Sequence, residues 1–206
     1  LVLGLEQRCH RTLGQLVEDL AAGLKAADEE EPTYRSYQPG IGPHAEDAAL
    51  RLALEQMRGA NPGRYDEANL EKSYPEDNQK DCDLVIPGEW AIEAKLARPF
   101  RDNGDESPHW IEGVLYPYDD NKGMVGDCLK LARSGFEERK ATLAIGYEHD
   151  PARIAVETAM EAFEVVAEEV QSVRLGPRVD CRVGGLVHPE HQQLSVYGWE
   201  VEPSSP

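Results

Sequence analysis

Asp83, Glu93 and Lys95 lie close together in the segment DCDLVIPGEWAIEAKLA, which reads as two strands around a turn. Side chains along a strand alternate between the two faces of a sheet. The even positions Cys82, Leu84, Ile86, Trp90, Ile92, Ala94 and Leu96 are all apolar, and Asp83, Glu93 and Lys95 fall on the odd face. A two-residue loop at Pro87-Gly88 would pair Asp83 with Ile92 and set the faces in conflict. A three-residue loop, Pro87-Gly88-Glu89, pairs Ile86 with Trp90, Leu84 with Ile92 and Asp83 with Glu93. Every even-numbered apolar residue then shares one face, and a one-residue slip would bury the carboxylates, so the odd-length turn is expected.

That register sets two carboxylates side by side with a lysine two residues along. Adjacent carboxylates repel and need a cation between them. Mg²⁺ is held by one or two protein carboxylates, with water and phosphate oxygens completing its octahedron. Such an ion polarises a phosphate and activates water, while Lys95 orients that water or stabilises developing charge.

Asp83, a short spacer and then Glu93-Ala94-Lys95 resemble the bipartite motif of the PD-(D/E)XK nuclease superfamily. The resemblance implies a restriction-endonuclease-like core, a mixed β-sheet flanked by helices. It also implies hydrolysis of nucleic-acid phosphodiester bonds, with DNA the expected substrate. Asp83 and Glu93 would be the metal ligands for Mg²⁺ or Mn²⁺, and Lys95 the catalytic lysine. Many members carry a glutamate on the preceding helix. Glu46 in PHAEDAALRLALEQM matches it, as an auxiliary ligand or base, though it could also simply complement a helix N-terminus. Cys82 stands where the nominal motif has proline, and no glutamine-tyrosine helix motif of the exonuclease branch is present. Restriction, defence or repair are settings implied by the resemblance alone, as is homodimerisation.

Arg98, Arg101, Lys122, Lys130 and Arg133 follow the motif and are candidate contacts to a phosphate backbone. Trp110, Tyr116 and Tyr118 could stack on bases, with core packing as the plainer use. His188-Pro-Glu-His191 has the look of a metal pair, but no further ligands stand nearby and a loop reads better. No Walker-type loop, GxSxG or HExxH occurs.

The chain has 206 residues, 39 acidic and 21 basic, and a net charge of −18. Proteins that grip phosphates usually carry a basic footprint. Between Lys95 and Lys140 the balance is only −1, so this stretch repels a polyanion least. The acidic charge supports a rival: an inactive member of the same fold that binds or scaffolds a protein partner. Four scattered cysteines, Cys9, Cys82, Cys128 and Cys181, argue against a zinc ribbon or disulfide framework. No apolar run approaches the roughly 18 residues of a membrane span. The opening LVLGLEQRCH lacks signal-peptide features, so a cytoplasmic setting is expected.

One domain over 1–206 is expected. Its parts are an amphipathic helix over 5–26, a core over about 43–147, and a helix and strands over 151–201. Within the core, Pro43 opens a helix to about Arg58, 69–80 is a short strand or loop, and WIEGVLYPY is a short strand or extended segment. A helix capped by Asp120 or Asn121 ends at Gly135, and KATLAIGYE is a strand. Asp150-Pro151 starts a helix to about Val170, with Val156, Met160, Phe163 and Val170 on one face. Strands near 179–187 and 194–201 follow.

Overall fold

The computed structural model describes residues 11–118 and 123–203. Six strands form one mixed sheet in the order β1-β2-β3-β4-β6-β5. They are β1 (Asn69–Tyr74), β2 (Asp77–Ile86), β3 (Trp90–Ala97), β4 (Arg139–Glu148), β5 (Val179–Gly184) and β6 (Gln193–Glu200). Only β3 and β4 run parallel; the other neighbours are antiparallel. One face carries α1 (Leu13–Glu29) and α2 (Glu46–Ala60), and the other α3 (Trp110–Leu115), α4 (Met124–Arg133) and α5 (Val156–Val165). Sheet faces must be covered to stay out of water, and the two helix layers give two cores.

Helix α1 follows the apolar stripe Leu13, Leu16, Val17, Leu20 and Leu24. It begins later than expected, because Thr12 and Gln15 form a reciprocal capping box there. The expected positions Leu5 and Cys9 lie outside the described residues. Helix α2 starts at Glu46 rather than Pro43. Residues 41–44 form a turn instead, closed by His44 N–H on the Ile41 carbonyl. Arg98 draws the Gly42 and His44 carbonyls outward at 2.7 and 3.1 Å, which a helix through this turn would have used itself.

The segment WIEGVL is helical, not extended. Trp110, Ile111, Val114 and Leu115 all face the second core, whereas a strand would have sent Ile111 and Leu115 to the opposite face from Trp110 and Val114. Helix α5 begins at Val156, five residues after Pro151, where the Glu148 carboxylate accepts the Val156 N–H at 2.9 Å. Val156, Met160 and Phe163 are buried together, but the helix widens into a π turn over Val166–Val170, and Val170 is 60% exposed. Gly123 stands at the N-cap of α4; Asp120 and Asn121 lie outside the described residues.

The hairpin register is Leu84↔Ile92, Val85↔Ala91 and Ile86↔Trp90, leaving the three-residue loop Pro87-Gly88-Glu89. Gly88 takes φ 72°, a left-handed conformation that costs a side-chain-bearing residue energy. The odd face, however, is not open to solvent. Val85 and Ala91 pack into the second core, so both faces of the hairpin are buried. Cys82 also lies in that second core, not beside Leu84 in the first, so alternation breaks at Asp83.

An added Cβ at Gly88 meets open space. Gly88→Ala is therefore expected to cost about 1 kcal/mol through backbone strain alone. Urea unfolding of the two proteins measures it; equal midpoints would mean that the turn does not depend on the left-handed residue.

Candidate active site

Asp83 sits where the β2–β3 ladder ends. Continuing the register beyond Leu84↔Ile92 sets Asp83 opposite Glu93, but the next β3 amide is not given to a backbone carbonyl. Ala94 N–H donates to Asp83 Oδ2 at 2.7 Å. On the other edge, Glu71 of β1 stands level with Asp83 and has φ 54°. The ladder is thus irregular on both sides of Asp83, and its carboxylate occupies a gap between strands.

Glu93 is 3% exposed, because α4 lies over the charged face of β3. A buried carboxylate needs hydrogen bonds or an opposing charge. Tyr74 O–H donates to Glu93 Oε1 at 2.5 Å, and Lys130 Nζ donates to the same oxygen at 3.1 Å. Lys130 also lies 2.7 Å from Asp127 Oδ1, and Asp127 Oδ2 lies 3.1 Å from Lys95 Nζ. Lys95 reaches Glu46 Oε1 at 3.5 Å, while Glu46 Oε2 accepts the Leu96 N–H at 2.8 Å. A line of alternating charge results, from Glu46 through Lys95, Asp127 and Lys130 to Glu93. It joins α2 on one face of the sheet to α4 on the other.

Burial pushes the Glu93 carboxyl well above the usual carboxylate range, and the neighbouring Asp83 and Asp127 charges push it further. Of these two charges, Asp83 contributes the more. Burial likewise raises Glu46 to about 7, against the pull of Lys95. For Lys95 burial favours the neutral amine, but Asp127 and Glu46 outweigh it and hold the ammonium above its ordinary value. Lys95 is therefore a fixed positive charge and not a base near neutral pH. Glu46 is the group whose proton affinity suits general-base work.

Two neighbouring hard-oxygen carboxyls are the donor chemistry a small divalent cation takes, and Mg²⁺ needs only one or two such ligands. Asp83 and Glu93 fit that requirement. Glu46 is turned to Lys95 and the Leu96 amide, and no group of three His, Cys, Asp or Glu side chains among the described residues forms a closed metal cage.

The structure brings Asp83, Glu93, Lys95 and Glu46 together. Lys130 joins them as the counter-charge of Glu93, a different place from a surface contact to phosphate. Arg98 lies at the far end of β3 on the carbonyls of 42–44, with exposed Arg101 beyond it. Lys122 lies outside the described residues. His188 and His191 are buried and stacked, 4.5 Å between centroids, within a loop. Sequence reasoning missed Asp127 and Tyr74. The signal for Asp127 was its i,i+3 spacing to Lys130 on a helix otherwise buried almost throughout; Tyr74 gave none, being distant in sequence from its partner.

No protein-family model matches this chain, and neither a curated protein nor a solved structure matches it.

A carboxyl whose proton affinity rises on folding favours the folded state at low pH, and that contribution is lost as pH climbs towards the folded value. The buried His44 and His191 are shifted down and act in the opposite sense, but only below their ordinary value of 6.5. Above that, Glu46 and Glu93 set the slope. In EDTA the melting temperature should fall between about pH 6.5 and pH 8.5. Glu93→Gln should flatten the slope, and Mg²⁺ should raise the melting temperature more at the higher pH. A rising slope in the wild type would contradict the raised proton affinity of the buried Glu46 and Glu93 carboxyls.

Proposed function

We propose that the chain is a metal-dependent nuclease with a restriction-endonuclease-like core, acting on phosphodiester bonds of nucleic acid, with DNA the expected substrate. The observation that carries this reading is the Asp83–Glu93 carboxyl pair at the end of the β2–β3 ladder, with Lys95 and Glu46 converging on it. The motif resemblance in Asp83 and Glu93-Ala94-Lys95 supports it further. Asp83 and Glu93 would hold Mg²⁺, or Mn²⁺ in its place. When bound, the ion supplies Lewis-acid polarisation of the phosphate and a more acidic water.

The chain's own side chains perform the remaining steps. Lys95, kept as an ammonium between Asp127 and Glu46, stabilises negative charge as it develops on the phosphate oxygens. Glu46 accepts a proton from the attacking water, since its affinity near 7 leaves a useful fraction ionised at neutral pH. Asp127 and Lys130 position Lys95 and Glu93 respectively. Arg98 and Arg101, off the end of β3, supply positive charge where the chain is otherwise acidic.

The net charge of −18 favours a second reading, an inactive member of this fold that binds a protein partner through its acidic surface.

Plasmid and single-stranded DNA should be cut with Mg²⁺ and left intact in EDTA. Lys95→Ala and Asp83→Ala should each lower the rate by roughly 100-fold or more. Glu46→Gln should reduce it and remove the acidic limb of the pH–rate profile near 7. Absence of cleavage with Mg²⁺ or Mn²⁺, together with absence of metal binding, would sink the nuclease and leave the scaffolding protein.

A further inference from the structure

Beside the start of α2, three loops enclose a cavity of about 490 Å³. The chain is strongly acidic, yet Arg35, Arg98 and Arg101 line this cavity against one acid, Asp102. None of the three arginines pairs with a carboxylate among the described residues. Arg35 lies 5.1 Å from the Tyr34 ring centre, and Arg98 is held by the Gly42 and His44 carbonyls. Asp102 is already engaged, accepting from Gln38 N–H and from His188 Nε2, both at 2.9 Å. The net charge offered to a ligand is positive.

The cavity is held in shape by bonds between its loops. Asp28, fully buried, accepts Ile41 N–H at 2.9 Å through one oxygen and Val187 N–H at 2.7 Å through the other. His191 Nε2 donates to the Phe100 carbonyl at 3.0 Å. Into this frame project Tyr34 and Tyr37, ring centres 6.2 Å apart, with Tyr37 39% exposed. An aromatic ring left partly in water beside arginines that meet no carboxylate suits a ligand that is both flat and anionic. The cavity also adjoins the carboxyls, because Ala45 lines both it and the recess that contains Glu46 and Asp83.

We propose that this cavity holds an unpaired nucleotide of the strand being cut, its base against Tyr34 and Tyr37 and its phosphate on Arg35 and Arg101. The assignment rests on the nuclease reading above and makes the preferred substrate a strand with an unpaired stretch. A pocket of this size admits a splayed base but not a base pair within a duplex.

Calorimetric titration of the full chain with 5′-phosphorylated tetrathymidylate, in EDTA and about 50 mM salt, tests it. Binding should weaken roughly tenfold in Tyr37→Ala and in Arg101→Ala, both exposed positions, with melting temperatures unchanged. Arg101→Ala should also reduce the salt slope by about 0.7. Absence of binding, equal affinity in the variants, or equal affinity for a blunt duplex of the same sequence would overturn the proposal. Tighter binding of free thymidine monophosphate would overturn the strand subsite in favour of a mononucleotide site. The titration needs neither metal nor cleavage. Cleavage with no tetrathymidylate binding therefore sinks the cavity alone, and tetrathymidylate binding with neither cleavage nor metal binding sinks the nuclease alone.

Discussion

The hydrogen bond from Ala94 N–H to the Asp83 carboxylate decides the local architecture. A strand amide normally finds a neighbouring carbonyl, and an unpaired one in a buried sheet is costly. Here a side chain takes the carbonyl's place, so the ladder can stop without an orphaned donor. The strands part, Cys82 turns to the opposite core from Leu84, and Asp83 and Glu93 occupy the space between. An apolar residue at position 83 would leave that amide unsatisfied and remove the reason for the gap.

Covering a charged strand face with a helix is the second constraint. Helix α4 places Asp127 and Lys130 against Glu93 and Lys95, so each buried charge meets an opposite one within about hydrogen-bond distance. Such networks are costly to break by removing one member, because the partner is left buried and unpaired. Burial above all holds the carboxyl proton on Glu93, and Asp83 and Asp127 add more negative charge than Lys130 offsets.

Much of this was legible in the residues. The odd-length turn followed from requiring Leu84, Ile86, Trp90 and Ile92 on one face, a period-two argument with little freedom. That Glu93 would be buried did not follow, since alternation locates a second face without saying what covers it. Asp127 was obscured because a lysine three residues on resembles an ordinary surface pair; its other partner, Lys95, comes from a different element. The helix at WIEGVL was hidden by β-branched and aromatic residues whose placement was decided by the second core, and the late start of α5 by a capping carboxylate from β4 that local sequence does not announce.

Asp28 sits in the last turn of α1, the end of a helix where a negative charge is least welcome. It is retained there by two loop amides from opposite ends of the chain, at Ile41 and Val187. The first helix is thereby more than a lid over the apolar face of the sheet. It works as a keystone, so a change that shortened or tilted α1 by a turn would unseat both loops at once. The shape of the arginine-lined hollow would be lost while the strands beneath kept their order.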